Sequence, residues 1–423
     1  MTLVEVAPHG QLTLQEVKSR GRGRMVLALL GPAFVASVAY VDPGNFATNF
    51  AGGAEHGYEL AWVVVMANLM AILVQYLTSK TGLATGQSLP ELCRQRYGRR
   101  VNIVLWLQAE VVAMATDLAE FVGAALGLNL VFGMPLLPAG LITAVVAFVI
   151  LALEQRGYRR FELAIIALLG LVGTGFLYLY FTIGGQDYMQ LAAGLVPHVS
   201  GDTLSLTVGI IGATVMPHVV YLHSALQKNR VSAANQHERL TLLTFNKWDC
   251  IIGLGFAGLV NLAMLCIAAA LFHKPGLTIS DLGPIHDHLA TVVGGGAALA
   301  FGIALIASGL SSSSVGTYAG QVVMAGFMNW RIPLFARRAL TMLPALIVIG
   351  LAVNTTQALI YSQIVLSFGI PFALIPLLLI TRTRETMTDM VNRRLTSALM
   401  LLITVVITTL NLFLLYDTLT SLI

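Results

Sequence analysis

Long apolar runs separated by short, arginine-rich linkers fill the chain from residue 25 to residue 416. About 20 apolar residues in helical conformation span a hydrocarbon core. Eleven runs fit, at 25–53, 59–79, 101–125, 137–153, 161–183, 204–227, 248–272, 295–325, 338–353, 356–380 and 395–416. Leu60–Leu77 and Leu395–Tyr416 carry no charged residue. The linkers test the count. Alternate ones hold Lys18, Arg20, Arg22 and Arg24, then Lys80, Arg94, Arg96, Arg99 and Arg100, then Arg156, Arg159 and Arg160. The series continues with Lys228, Arg230, Arg239 and Lys247, then Arg331, Arg337 and Arg338, then Arg382, Arg384, Arg393 and Arg394. That puts 23 of the 24 basic residues on one side and only Lys274 on the other. A missed or invented helix would scramble this parity, so eleven helices are expected, with the N-terminus cytoplasmic and the C-terminus outside.

Two runs are interrupted. "AYVDPGNFATNF", residues 39–50, sets Asp42, Pro43, Gly44 and Asn45 inside the first. A carboxylate near a helix centre costs about 2.5–3.5 kcal/mol on insertion scales, and Pro with Gly frees backbone carbonyls. Two full spans do not fit into 25–53, so the break lies inside one helix. "GIIGATVMPHVVYLHSAL", residues 209–226, repeats the anomaly in helix 6, with Pro217 and His218 in mid-run. Each break opens a five-helix half. Five is odd, so helices 1–5 (25–183) and 6–10 (204–380) form inverted repeats, with helix 11 (395–416) appended and 1–24 a cytoplasmic tail. Paired discontinuous helices mark the binding site of a secondary transporter.

Composition narrows the class. The chain is 57% hydrophobic and 10% charged, with a mean hydropathy of +0.81, against roughly 25% charged residues in soluble domains. An all-α integral membrane protein follows. The net charge of +4 lies in short clusters that set orientation, so no nucleic-acid partner is expected; the bilayer is. Cys93, Cys250 and Cys266 form no disulfide or metal framework. Met1–Arg24 lacks the apolar core and cleavage site of a signal peptide.

"DPGN" at 42–45 together with "MPH" at 216–218 resembles the Nramp (natural resistance-associated macrophage protein) divalent-metal transporters. "ATDLAEFVGAALGL" at 115–128 and "ASGLSSSSVGTYAGQVVMAGF" at 307–327 resemble further segments of that family. The resemblance implies a LeuT-like fold and proton-coupled import of Mn²⁺ or Fe²⁺, with Cd²⁺ and Co²⁺ also accepted. It implies a bacterial cytoplasmic membrane, a chain that functions as a monomer, and no resident cofactor. Gln363, in the polar patch "YSQ" of helix 10, matches another family ligand position. Ala325 departs from the family pattern, where Gln is expected, at the cytoplasmic end of helix 8.

The residues have a chemistry of their own. Asp42 offers a carboxylate, Asn45 an amide oxygen, and the breaks release carbonyls near Ala39 and Ala213. These are hard oxygen ligands. Met216 adds a thioether, which favours softer transition metals over Ca²⁺ and Mg²⁺. Glu110, Asp117 and Glu120 share one face of helix 3, within an arc of about 80°. Three carboxylates there suggest a proton path from Asp42, with His218 and His223 of helix 6 as complements and Arg337 and Arg338 balancing its inner end. A static buried ion network is the alternative.

Other motifs are decoys. "GLGFAG" at 253–258 lies within helix 7 and reads as packing glycine. "SSSS" at 311–314 back-bonds to its own helix or aids packing. "HDH" at 286–288 is expected in an external loop, and Asn68 and Asn261 as amides bridging helices. The rival function is a sodium-coupled amino-acid or amine symporter of the same fold, which generally lacks an Asp–Met pair. No HExxH, GxSxG or pore-loop pattern supports an enzyme or a channel.

Overall fold

The computed structural model describes residues 12–19, 29–155, 158–228, 230–232, 235–274, 280–330, 332–351 and 353–421. Arg20, Arg22, Arg24, Arg156, Arg331 and the start of the first apolar run lie outside the described residues, as does Ile423. Helix 1 is broken into 1a, Pro32–Val38 running into a 3-10 turn over Ala39–Val41, and 1b, Pro43–His56. Helix 2 is Ala61–Thr85, helix 3 Arg99–Phe132, helix 4 Leu136–Gln155 and helix 5 Tyr158–Ile183. Helix 6 is broken into 6a, Gly201–Thr214, and 6b, Pro217–Gln227. Helix 7 is Gln236–Phe272 and helix 8 Gly295–Met328. Helix 9 is split into Leu334–Thr341 and Leu343–Gly350; helix 10 is Thr355–Thr381 and helix 11 Arg394–Ser421.

Every expected apolar run therefore contains helix, but the count of eleven crossings is not reached by length and composition. Among the described residues, eight helices are long and apolar enough to cross a membrane. Helices 1 and 9 fall short because each is interrupted: one at Asp42, the other at Met342, just before Pro344. Helix 4 is short in its described apolar part, Leu136–Ile150. "HDH" is also corrected. It lies in an α-helix, Leu282–Val292, whose Leu282, Ile285 and Leu289 are fully buried. Apolar spacing at i, i+3 and i+7 makes that segment amphipathic, which outweighs its two histidines.

Burial separates core from periphery. The most apolar stretch of helix 6 is 94% buried, against 33% in helices 5 and 11. Small residues let the central helices approach closely. A Cβ on Gly53 of helix 1b would lie 2.4 Å from the Leu265 carbonyl of helix 7, and one on Gly309 of helix 8 would lie 2.6 Å from Ala124 Cβ of helix 3. Two of the three "GLGFAG" glycines pack as expected, Gly253 against the Ala33 carbonyl and Gly258 against Asn68, whereas Gly255 faces open space.

On the arginine-rich face, polar bonds fasten helix 1a. Asp249 of helix 7 accepts the Gly31 and Ala33 amides, each at 2.9 Å. Arg230 donates to the Leu30 carbonyl at 3.2 Å and pairs with Glu162 of helix 5 at 2.9 Å. Residues Leu12–Thr13 add a short parallel pairing with Val231–Ser232. Nearby, the helix Leu89–Arg96 is tied to 6b: the Leu89 amide donates to Ser224 Oγ at 2.8 Å, and Lys228 reaches both Glu91 oxygens at 2.8 Å.

Burial pushes the Glu91 carboxyl upward, but Lys228 and the Ser88 donors outweigh it and hold it below the ordinary carboxylate range. A depressed native value contributes stability that is complete above the unfolded-state value and lost as pH falls through the native one. Lys228→Met should therefore lower the thermal unfolding temperature in detergent at neutral pH. The gap to the parent should close as Glu91 protonates in both, and a gap independent of pH would assign it to lost packing.

Candidate functional site

The two breaks face each other. Asp42 leaves the helical region (φ −84°, ψ 170°) and caps 1b, with Pro43 in the first turn, where a missing N–H costs nothing. Its Oδ1 accepts from the Asn45 backbone amide at 2.8 Å and from Asn45 Nδ2 at 2.7 Å. The same Nδ2 donates to the Ala213 carbonyl at the end of 6a, at 2.9 Å. One amide thus bridges the two broken helices. Sequence reasoning brings Asn45 to the site by its oxygen, whereas the nitrogen end faces Asp42 and Ala213. Two acceptors converge there, so a donor is what the pocket takes.

The remaining polar atoms are left over. Asp42 Oδ2, Asn45 Oδ1, Gln363 Oε1 and Thr214 Oγ1 are all buried without a hydrogen-bond partner, and Asp42 is only 1% exposed. Such orphans mark either a cost or a ligand site. Met216, fully buried, sits at the second break and precedes Pro217, which begins 6b. Gln363 comes from helix 10 and lies over Gly44: a Cβ there would be 1.9 Å from Gln363 Nε2. A Cβ on Gly123 of helix 3 would likewise be 2.0 Å from Pro43 Cβ. Gly at 44 and 123 therefore lets helices 10 and 3 close directly on the break. Ala39 lies in the 3-10 turn of 1a, fully enclosed. Among the described residues, no group of three His, Cys, Asp or Glu side chains is poised to hold a metal; the donors gathered here are oxygens and one sulfur.

The carboxylates of helix 3 divide into separate partnerships. Glu110 forms a two-pronged ion pair with Arg337 (2.8 and 3.2 Å) and accepts from Trp106 at 3.0 Å. Arg338 is buried, donates to Thr317 and to Ser313 Oγ (the latter at 2.6 Å), and stands over the Phe148 ring. Asp117 and Glu120 are both buried, and Glu120 rests against Gly316 of helix 8 with both oxygens unpartnered. His218 reaches helix 3 through Thr116, with Nδ1 3.2 Å from the hydroxyl, while its Nε2 is unpartnered. His223 does not join them by a hydrogen bond. Its Nδ1 lies 2.9 Å from Gln75 Oε1 of helix 2, and Gln75 Nε2 donates to the Tyr40 hydroxyl at 2.6 Å. Five residues apart on 6b, His218 and His223 point about 140° apart around its axis, so the two rings address different helices.

Sequence reasoning missed Ser308 as a support, whereas Asn261 bridges helices as expected. Ser308 of helix 8 donates to the Val41 carbonyl at 2.6 Å, and Asn261 of helix 7 donates to the Tyr40 carbonyl at 2.7 Å. Both satisfy carbonyls that the break in helix 1 releases. Their signal was a hydroxyl and an amide in apolar runs. Ser311, Ser312 and Ser314 back-bond to their own helix, while Ser313 is taken by Arg338. Ala325 is exposed, its carbonyl accepting from Arg94 at 3.0 Å.

The family described as "Natural resistance-associated macrophage protein-like" matches residues 33–417. The divalent metal cation transporter MntH of Bacillus subtilis (strain 168) is 46% identical over 415 residues, covering 97% of each chain. The manganese transporter of Eremococcus coleocola, solved with an aromatic bis-isothiourea substituted compound, superposes with a TM-score of 0.83. It is 31% identical, covering 92% of this chain and 86% of that one. A nucleobase-cation-symport-1 family transporter in a closed conformation shares only the fold, with a TM-score of 0.57 at 15% identity. These likenesses agree with a LeuT-like arrangement around two broken helices. With residues 33–417 matched and a relative alike along nearly its whole length, the chain belongs to the natural resistance-associated macrophage protein (Nramp) family.

Proposed function

We propose that the protein imports divalent transition-metal ions, Mn²⁺ or Fe²⁺ and also Cd²⁺ and Co²⁺, together with protons, by alternating access. The observation that carries this is a buried carboxylate with one unpartnered oxygen, set beside a carbonyl and a thioether where two helices break. Asp42, Asn45, Met216 and the Ala213 carbonyl supply the ligands, with Ala39 and Gln363 completing the set. A cation entering the site takes the place of the Asn45 N–H bonds, and the amide turns its oxygen inward. Since the carboxylate binds metal ionised, proton release accompanies binding. His218, Thr116, Asp117 and Glu120 then offer the exit, with Glu110, Arg337 and Arg338 at its far end. His223 serves the helix 2 side instead. The basic face is cytoplasmic and the C-terminus outside, in a bacterial cytoplasmic membrane. The two five-helix repeats, 25–183 and 204–380, move against each other, and a monomer suffices.

The test is uptake into sealed proteoliposomes carrying an internal metal indicator and a pH indicator. Mn²⁺ should enter and acidify the lumen without Na⁺; Na⁺-dependent uptake of an amino acid with no metal flux would establish the rival symporter. Asp117→Asn should depress acidification more than Mn²⁺ binding. Equal loss of both in a folded variant would return helix 3 to a static ion network.

Gly44→Ala isolates Gln363. The new methyl meets the flexible end of that side chain, so the glutamine swings aside while the helices stay packed. Gly44→Ala and Gln363→Ala should weaken Mn²⁺ binding by similar factors, and the double variant by no more than either. Additive losses would separate the two positions.

A further inference from the structure

A cavity with a mixed charged and apolar lining lies where helix 10 ends and helix 11 begins. It is open on one side, has a volume of about 430 Å³ and is lined by Arg382, Asn392, Arg394, Ser397, Ala398 and Leu401. We propose that it binds the phosphate headgroup of an anionic phospholipid from the arginine-rich leaflet.

The lining combines donor-bearing side chains with the apolar Ala398 and Leu401. Arg382 and Arg394 contribute two guanidinium groups and Ser397 a hydroxyl, and no carboxylate is among the lining residues. The connecting segment is fixed, because the Asn392 amide donates to the Thr381 carbonyl at 3.0 Å. Lys80 of helix 2 donates to Asn392 Oδ1, which leaves the Asn392 Nδ2 group buried with no acceptor of its own. Helix 11 begins at Arg394, so its first-turn amides and dipole add positive potential beside the same cavity. Glu385 and Asp389 lie earlier in the segment and do not line it.

The apolar lining selects the source of the anion. Ala398 and Leu401 continue into the outward face of helix 11, where Leu402 is 58% and Val405 51% exposed. A free phosphate would use the donors and leave this surface uncovered. A phospholipid satisfies both, with its diester among the arginines and an acyl chain along helix 11. Basic pockets between spanning helices on the cytoplasmic side take anionic headgroups in this way.

The test uses the full chain in detergent, followed by native mass spectrometry with phosphatidylglycerol, phosphatidylcholine and inorganic phosphate as probes. One phosphatidylglycerol should be retained in preference to phosphatidylcholine, and millimolar phosphate should not displace it. The double variant Arg382→Gln/Arg394→Gln should bind it about thirtyfold more weakly, and each single variant roughly fivefold. Arg384→Gln, in the same segment but not lining the cavity, should bind as the parent does. Unaltered retention in the double variant, equal retention of phosphatidylcholine, or displacement by phosphate would each overturn the proposal. Unfolding temperatures in phosphatidylcholine nanodiscs report on folding, and the single variants decide the matter if the double variant is unstable.

Discussion

Asp42→Asn is expected to reduce Mn²⁺ uptake to background, a loss of at least about 100-fold. Outer partners of a metal ligand alone are worth 10–100-fold in affinity, and this residue is the only carboxylate among the proposed ligands. The fold should survive. Asn caps helices about as well as Asp, and its side-chain oxygen can still accept the Asn45 amide that Asp42 now holds at 2.8 Å. What disappears is the negative charge that compensates a divalent cation at a buried site. Calorimetry on the purified variant should show no Mn²⁺ binding, with an unfolding temperature close to the parent's. Retained uptake within a few-fold of the parent would remove Asp42 from the ligand set.

The second large effect concerns which ion is chosen. A site of carboxylate, amide and carbonyl oxygens accepts Ca²⁺ and Mg²⁺ readily, whereas the Met216 thioether gains little with either. Its contribution is a difference between ions, which is what selectivity requires. Met216→Ala should weaken Cd²⁺ most and Mn²⁺ less, and should let Ca²⁺ compete. Because Met216 is fully buried, its truncation also leaves a cavity, so Met216→Leu provides the volume-conserving control at a cost usually below about 1.5 kcal/mol. Leu should reproduce the shift in ranking with less loss of stability. Competition assays in proteoliposomes read it directly: a uniform fall for all ions, with the ranking intact, would reduce Met216 to packing.

Both predictions rest on features visible in the sequence, for one physical reason. A carboxylate followed by Pro-Gly, or a Met-Pro-His inside an apolar run, is anomalous in hydrocarbon by residue type alone. Asp42, Asn45 and Met216 are read that way, and so is the broken course of helices 1 and 6. The supports around them are ordinary residues made special by proximity. Thr116 beside His218, Gln75 between Tyr40 and His223, and Ser308 under the Val41 carbonyl join positions 35 to 267 residues apart. Nothing local distinguishes that serine from others that bond back to their own helix. The break in helix 9 and the helix carrying "HDH" were hidden differently, because hydropathy averaged over a window does not resolve a single interrupted turn.

The fastening of helix 1a also sets a timetable for biosynthesis. Gly31 and Ala33 find their acceptor only at Asp249, 218 and 216 residues later in the chain. At roughly 5–20 residues per second, a ribosome needs about 10–45 s to travel that distance. During this interval the first helix has entered the membrane with its leading amides uncapped, and helices 2–6 are added beside a segment still free to shift. The first helix to be made thus waits for helix 7 to hold its leading amides, and for Ser308 of helix 8 to satisfy the carbonyl at its break.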